Sequence, residues 1–211
     1  MTSDIDASNK ATVSFVVTGF GPFQNSRENP TTVIASKLQD YVRGTSISLL
    51  TTLVIETSAE AARAETDRLK EVIAQQNNGN IVVLLHMGVN GMATKFHLEQ
   101  CAYNEANFSI PDEKGFQPLN EEVIVACEPT LTTRLDVDQI LMDLGLDSFV
   151  VSTDPGRFVC NYTYYCSLSK FHECDGVYSL FLHVPPFSVV PEAEQFQVVL
   201  HLMDTIRKQF E

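Results

Sequence analysis

The stretch at residues 149–168 reads FVVSTDPGRFVCNYTYYCSL and contains the local signals that decide the fold. Its apolar start, Phe149-Val150-Val151, predicts a short buried strand, and Asp154-Pro155-Gly156 is a strong turn signal. After the turn, large apolar residues recur at helical spacing: Phe158, Tyr162, Tyr165 and Leu168. The stretch therefore predicts a strand, a tight turn and a helix.

Cys160 falls in the first turn of this predicted helix. Unpaired backbone N–H groups and the positive end of the helix dipole favour a thiolate there, and the same N–H groups can donate to an oxyanion. The local geometry suits a nucleophile. A single cysteine is more often a small buried apolar residue, so the rest of the chain has to decide between the two interpretations.

Predicted strands and helices alternate along the whole chain. Strands are predicted at 12–18, 46–55, 81–86, 96–103, 148–152 and 177–184, and helices from Asn29-Pro30, at 57–76, at 136–145, from about 158 and at 191–209. This order predicts an α/β protein, a single-domain three-layer α/β/α sandwich with a mostly parallel mixed sheet. We expect one domain over 11–211, preceded by a disordered tail at 1–10. The polar segment 104–122 predicts a long surface loop, and loops of that length are usually functional.

Composition excludes several classes of partner. The 211 residues carry 14 basic and 27 acidic side chains, so a net charge of −13 repels phosphate backbones and anionic membranes. The first ten residues lack the pattern of a secretory signal, and no stretch has the length of a membrane span. Five cysteines without a disulfide-framework pattern suit a reducing compartment. We therefore expect a cytoplasmic protein that binds neither nucleic acid nor membrane.

The cysteine segment resembles a known enzyme family. Pro155-Gly156-Arg157-Phe158-Val159-Cys160-Asn161 is similar to A-G-x-[FY]-[VL]-C-[ND], the signature of the pyroglutamyl peptidase I (pyrrolidone-carboxylate peptidase) family of cysteine peptidases, with Pro in place of the usual Ala. The resemblance implies that Cys160 is the catalytic nucleophile. It also implies the phosphorylase/hydrolase-like form of the α/β/α fold.

Two further segments resemble the parts of the family that bear the other catalytic residues. Phe181-Leu182-His183-Val184-Pro185 is similar to F-[IV]-H-[VI]-P, which implies that His183 is the catalytic histidine. The glycine-rich segment 88–99 resembles the family's turn after a central strand, which implies that Glu99 is the acid. Without the resemblance, His183 is more simply a structural histidine near a strand end, and Glu99 is one acid among many on a solvated face.

The substrate-binding residues are implied by position in the same family. Thr18-Gly19-Phe20-Gly21-Pro22-Phe23 resembles T-G-F-x-P-F, whose two phenylalanines hold the flat lactam ring, and the segment 110–118 resembles I-P-D-x-x-G-x-Q-P. The implied substrate-binding set is Phe20, Phe23, Val89, Ile110, Phe158 and Val159. Val89 and Ser109 stand where bacterial members have Gln and Arg, and the sequence of the glycine-rich turn is similar to that of the eukaryotic branch.

The resemblance implies a cysteine omega-peptidase that removes the N-terminal pyroglutamyl (5-oxoprolyl) residue from small blocked peptides through a Cys-His-Glu triad and an acyl-enzyme. It implies no metal and no organic cofactor, and it leaves homo-oligomerisation open. Two alternatives remain at this point. One is a related cysteine amidase that acts on another lactam or N-blocked substrate, and the other is a non-catalytic descendant that serves as a binding module.

Overall fold

A computed structural model describes residues 12–23, 28–76 and 79–211. The tail predicted at 1–10 lies outside these ranges. The strands are β1 (Val13–Phe20), β2 (Ser48–Ile55), β3 (Ile81–Val89), β4 (Phe96–Glu99), β5 (Cys101–Tyr103), β6 (Thr130–Thr132), β7 (Phe149–Ser152) and β8 (Val177–Val184). The helices are α1 (Pro30–Tyr41), α2 (Ala59–Gln76), α3 (Val137–Leu144), α4 (Val159–Phe171) and α5 (Glu192–Lys208).

Six strands form the central sheet in the order β2-β1-β3-β8-β4-β7. The first four are mutually parallel, whereas β4 pairs antiparallel with β8 and parallel with β7. Helices α1, α3 and α5 pack together on one face, and α2 packs with α4 on the other. The predicted α/β class, the three layers and the mostly parallel mixed sheet are confirmed.

The apolar residues of β3 explain why both faces of the sheet are covered. Its side chains alternate between the faces, so that Val83, Leu85 and Met87 pack in the cluster under α1, α3 and α5, while Val82 and Leu84 pack on the other side. Both faces are covered, and this is why β3 is a continuous apolar run rather than an alternating one. His86 and Gly88 lie on the α2/α4 face of this strand by the same alternation.

The strand predicted at 96–103 is in fact two strands in two sheets. The chain leaves the central sheet at Gln100, whose N–H donates to Ser152 O at 2.7 Å and whose carbonyl accepts from Thr133 N at 3.0 Å. β5 then pairs with β6 in a separate two-stranded sheet. The prediction of one strand was wrong because the apolar pattern continues through the bend, and only the pairing partners change.

Helix boundaries follow local capping signals. Asn29 caps α1 by accepting from Thr31 N at 3.0 Å, and Pro30 occupies the first helical position. Gly145 ends α3 in the left-handed conformation at φ 60°, which glycine adopts at little cost. No helix in the described part of the chain is long and apolar enough to cross a membrane.

Candidate active site

Cys160 is the second residue of α4, as the sequence predicts, and its side chain is partly exposed. The N-cap residue of the helix is Phe158, which has no polar side-chain atom to cap the first N–H groups. These donors therefore stay available beside the thiol, at the positive end of the helix dipole.

The thiol lies against the backbone of β3. A Cβ placed on Gly88 would approach Cys160 Sγ to 2.8 Å, so the sulfur occupies the space that any other residue would fill with its side chain. Gly88 is paired with His183 in the register of β3 with β8. The absence of a side chain at Gly88 thus permits the thiol to lie against β3, beside the strand that bears His183.

His183 and Glu99 meet through the antiparallel pairing of β4 with β8. Glu99 is opposite Phe181, so His183 is its diagonal neighbour on the same face of the sheet. His183 Nδ1 lies 2.7 Å from Glu99 Oε1, and both side chains are buried. Glu99 Oε2 is buried without a hydrogen-bond partner among the described residues, which leaves the imidazole as the group that compensates this carboxylate.

The charge state of His183 follows from its neighbours. Burial lowers the pKa of the imidazole, but hydrogen bonds and charge interactions with Cys160 and Glu99 outweigh burial and raise the pKa to about 9. At neutral pH the ring is therefore an imidazolium between a carboxylate and the Cys160 sulfur. A proton held there is available to a leaving amine.

Two aromatic side chains contact His183 and the backbone of Glu99. The ring centroid of Phe181 is 4.8 Å from that of His183 and 5.7 Å from that of Tyr164. The Tyr164 hydroxyl donates to the Glu99 carbonyl at 2.9 Å, and burial raises the pKa of this phenol, so it remains a donor. Tyr164 lies one helical turn after Cys160, so α4 positions both the nucleophile and the acid-bearing strand.

The residues implied to hold the lactam ring lie mostly on one side of the thiol. The Phe23 ring packs on Phe158 at 5.2 Å between centroids, whereas Phe20 is buried and faces Phe181 at 6.5 Å. Val159 is fully buried in the same apolar cluster as Phe20. Ile110 is half-buried in the loop beyond.

Val89 is the exception in this set. It follows Gly88 in β3, so its side chain points to the opposite face, where it packs against the cluster under α1, α3 and α5. The structure therefore separates Val89 from the phenylalanines. Its assignment to the substrate pocket stays a prediction.

The phenylalanine loop is fastened to α1. The Phe20 N–H donates to Thr31 Oγ1 at 3.0 Å, and Asn29 Nδ2 donates to the Gly21 carbonyl at 3.1 Å. The same two residues form the N-terminal cap of the helix. One pair of polar side chains thus begins α1 and fixes the entrance of the loop.

The polar segment 104–122 is a pinned loop. Asn161, the neighbour of the candidate nucleophile, is fully buried and holds it by accepting from Tyr103 N at 2.8 Å and donating to the carbonyls of Tyr103 and Glu105 at 2.9 Å each. Near the middle of the segment, the buried Asp112 carboxylate accepts from Ala59 N at the start of α2 and from two N–H groups of its own turn. The loop is tied to two helices.

Phe108 and His97 were not singled out by the sequence. Phe108 is fully buried, and its ring is 4.7 Å from that of Phe158, so the loop contributes a wall to the apolar side of the site. His97 is directly opposite His183 in the β4–β8 register, so it shares that face of the sheet. The signal that could have found His97 is the two-residue alternation with Glu99 in the segment Phe96–Glu99.

A second buried histidine lies deeper in the same layer. His86 makes hydrogen bonds to Thr18 Oγ1 at 2.8 Å and to Ser167 Oγ at 2.9 Å, and Ser167 continues to Ser179 Oγ at 2.8 Å. Complete burial lowers the pKa of His86 to about 4, so the ring is neutral at pH 7. This polar chain is structural, because it joins β1, β3, α4 and β8 beneath the site.

The model of the pyroglutamyl peptidase family matches residues 13–199, which is most of the chain. The chain belongs to the pyroglutamyl peptidase family. This is a family of cysteine peptidases, and the chain is accordingly a cysteine-type hydrolase by descent.

Relatives agree with the family assignment, and solved structures agree with the fold. A human pyroglutamyl-peptidase 1 is 33% identical over 184 residues, which cover 85% of this chain and 82% of the human one. A Bacillus subtilis pyrrolidone-carboxylate peptidase is 29% identical over 174 residues, or 81% of this chain and 77% of its own. The fold matches a mutant pyrrolidone carboxyl peptidase from Pyrococcus furiosus with a TM-score of 0.82 at 20% identity, over 94% of this chain and 100% of the other.

Within the described ranges, no group of three or more His, Cys, Asp or Glu side chains is arranged to hold a metal ion. Cys166 and Cys174 stand near His172 in sequence, but Cys166 is buried inside the apolar cluster of α4, where burial raises the pKa of its thiol to about 12. The side chains that the structure brings together beside Gly88 are those of Cys160, His183 and Glu99.

Proposed function

We propose that this protein hydrolyses the amide bond that follows an N-terminal pyroglutamyl residue in small peptides, with Cys160 as nucleophile, His183 as acid and base, and Glu99 as the orienting carboxylate. One observation carries the proposal. The sulfur of Cys160 lies against Gly88, whose strand partner His183 is held by Glu99 at 2.7 Å. Family membership supports the choice of substrate.

The first half of the reaction forms an acyl-enzyme. The Cys160 sulfur attacks the pyroglutamyl carbonyl carbon, and the carbonyl π electrons move to oxygen. When the oxyanion collapses, the C–N bond breaks, and the His183 imidazolium gives its proton to the departing nitrogen. The products of this half are a thioester on Cys160 and the shortened peptide with a free amine.

The second half regenerates the enzyme. His183 takes a proton from a water molecule, whose oxygen attacks the thioester carbon. Collapse of this intermediate breaks the C–S bond, and pyroglutamate leaves. Glu99 holds the imidazole in one tautomer and stabilises its charged form in both halves.

Stabilisation of the oxyanion in both halves of the reaction is assigned to the N–H groups at the start of α4. Phe158 cannot cap these donors with its side chain, and Cys160 is itself the second residue of the helix. A preorganised donor of this kind contributes on the order of 3 kcal/mol to transition-state stabilisation in hydrolases.

Selection for a blocked N-terminus follows from the apolar side of the site. Phe23 and Phe158 present ring surfaces to a compact uncharged lactam, and the buried Phe108 ring packs against Phe158 behind them. A peptide with an ordinary N-terminus would bring an ammonium group against these rings without a partner, and burial of an unpaired charge is costly. The same reasoning extends the proposal to Phe20, Ile110 and Val159 on this side.

The remaining expectations belong to the same proposal. One peptidase domain over 11–211 acts in a reducing, cytoplasmic compartment, because a catalytic thiol must stay reduced. Neither a metal nor an organic cofactor has a role in the steps above. Small pyroglutamyl-blocked peptides are the partners.

The test is hydrolysis of a fluorogenic pyroglutamyl amide under reducing conditions by the wild type, Cys160→Ala and Cys127→Ala. Cys127 is an exposed thiol away from the triad, so its variant controls for loss of a cysteine as such. Wild type and Cys127→Ala should release the dye, and Cys160→Ala should not. Glu99→Gln should be slower but active, since it removes a charge and not the proton acceptor.

Other results lead to other functions. If no protein releases the dye but wild-type Cys160 is selectively alkylated near neutral pH, the thiol is activated and the substrate is a different amide. If Cys160 is also inert toward alkylation, the chain is a binding module. Full activity of Cys160→Ala would contradict the assignment of the nucleophile.

A further inference from the structure

A cavity of about 300 Å³ opens beside the candidate active site, on the other face of the sheet. It lies at the carboxyl ends of β3 and β8, between the start of α1 and the segment that follows β8. Its walls are Glu28, Pro30, Val89, Gly91, Pro186, Phe187 and Ser188. Nothing in the reaction described above uses this space.

The cavity is continuous with the site of the chemistry. Gly88 contacts the Cys160 sulfur, and the next residue, Val89, forms part of the cavity wall. Consecutive residues of an extended strand are only about 3.8 Å apart between Cα atoms. His183 likewise precedes the wall residue Pro186 by three positions. The cavity therefore begins one residue beyond Gly88, the residue that contacts the Cys160 sulfur, across the carboxyl edge of the sheet.

The direction of the substrate leads to the same place. The aromatic rings of Phe23, Phe158 and Phe108 lie on the α2/α4 side of Cys160, and the proposed function places the lactam there. The peptide that leaves must extend away from those rings, past His183, which protonates its nitrogen. The edge formed by Val89 and Pro186 lies on that path.

The chemistry of the walls defines the ligand. Pro30, Val89, Pro186 and Phe187 present apolar surface, and the Glu28 carboxylate stands at the rim. Apolar surface favours an aliphatic or aromatic side chain, whereas a carboxylate at the rim of a chain with net charge −13 opposes an acidic one.

We propose, on the basis of the function proposed above, that this cavity binds the side chain of the residue that follows pyroglutamate, with preference for aliphatic and aromatic residues over glycine and against acidic residues. The pyroglutamyl ring is then selected on one face of the sheet, and the neighbouring residue is selected on the other.

The wall of the cavity is already formed without a ligand. Buried Gln195 donates from Nε2 to the Pro185 carbonyl at 2.8 Å and to the Val190 carbonyl at 3.0 Å, which fixes both ends of the segment that contains Phe187. On the opposite side, Asn90 N donates to the Val184 carbonyl at 3.0 Å. A preformed subsite loses little conformational entropy on binding.

The experiment compares kcat/KM for pyroglutamyl-X-amides in which X is glycine, leucine, phenylalanine or aspartate, with release of pyroglutamate as the readout. We expect the wild type to favour leucine and phenylalanine over glycine by about tenfold, which is the lower end for filling an apolar subsite. The aspartate substrate should be the poorest of the four.

Two variants change the cavity in opposite ways. Phe187→Ala removes a half-buried wall, and Gly91→Leu adds a side chain to a wall residue whose Cβ would meet no atom within 4 Å. Both should lose the preference for leucine and phenylalanine while the glycine substrate is cleaved at the wild-type rate. Val189→Ala is the matched control, because Val189 is exposed on the same segment and does not line the cavity.

The outcomes separate this inference from the function on which it rests. If the wild type cleaves the whole panel and both variants keep its order of preference, the cavity is not the subsite, although the peptidase assignment stands. If the wild type cleaves none of the four substrates, both proposals fail. Loss of the glycine activity together with the preference would show damage to the catalytic centre and would also overturn the subsite.

Discussion

Replacement of Gly88 by alanine tests the contact on which the candidate site depends. An added Cβ would lie 2.8 Å from Cys160 Sγ and 2.9 Å from Phe181 Cζ. Ordinary contacts between heavy atoms of this size are about 3.6 Å, so the overlaps are about 0.8 Å and about 0.7 Å. Both neighbours therefore have to move, and each movement has a different consequence.

The sulfur can move only by leaving its present position beside His183. Phe181 can move only with its neighbours, because its ring packs on His183 at 4.8 Å and on Tyr164 at 5.7 Å between centroids. A displacement of about 1 Å at a reacting group costs roughly a hundredfold in rate. Overpacking of this kind lowers the free energy of unfolding by about 1–3 kcal/mol.

The assay combines three measurements on Gly88→Ala: kcat/KM for pyroglutamyl-glycinamide, the rate of Cys160 alkylation near neutral pH, and urea unfolding. We expect a loss of roughly a hundredfold in kcat/KM, mostly in kcat, in a protein that still unfolds cooperatively. Gly91→Ala is the control, since its new Cβ has open space, and it should resemble the wild type in all three measurements.

Wild-type values for both turnover and alkylation in Gly88→Ala would refute the reasoning. In that case the thiol of the working protein does not lie against β3, and the pairing of Gly88 with His183 has no part in bringing nucleophile and base together.

Two further predictions concern groups outside the triad. Burial lowers the pKa of His86 from 6.5 to about 4, so between these pH values the unfolded chain binds a proton that the folded chain does not. The free energy of unfolding should therefore fall by about 3 kcal/mol from pH 7 to pH 4. His86→Gln should remove this part of the dependence in urea titrations across that range, and equal slopes in the two proteins would count against it. Asp112→Asn leaves one oxygen for three backbone donors, so it should lower stability by about 1–2 kcal/mol and hasten proteolysis within 104–122. An unchanged cleavage rate would show that the loop is held elsewhere.

Local signals in the sequence predict most of the elements. Asn29 and Pro30 begin α1 and Gly145 ends α3, because capping depends on residues within one turn of the boundary. Helix α4, which contains Cys160 in its first turn, is predicted from a turn signal and the spacing of large apolar residues alone. Alternation of strands and helices is sufficient for the layered class, since each element must bury its apolar face.

Pairing between distant strands could not be predicted in the same way. The antiparallel direction of β4 and the change of sheet at Gln100 depend on partners that are remote in sequence. The face to which Val89 points was also missed, because the family motif gives its position in the chain and not the register of β3. Sequence patterns specify what an element buries more reliably than which neighbour it meets.

The roles of the candidate residues came from the resemblance rather than from the residues themselves. Cys160 alone had a local argument, because a helix start is readable in the sequence. Glu99 had none, since its burial arises from packing under Tyr164 and Phe181, which no local pattern reveals. Asn161 is identified in the sequence only as one position of the family motif, although it anchors the loop beside the site.

The register of β4 determines both how its apolar side chains pack and where Glu99 lies. Phe96 and Leu98 are buried in the cluster under α1, α3 and α5, and Glu99 faces the other way. A slip of one residue in this four-residue strand would turn Glu99 into that apolar cluster and move both hydrophobic side chains out of it. The wrong register is therefore unstable, and it also separates Glu99 from His183. In this strand, the packing of Phe96 and Leu98 thus secures the position of Glu99 beside His183.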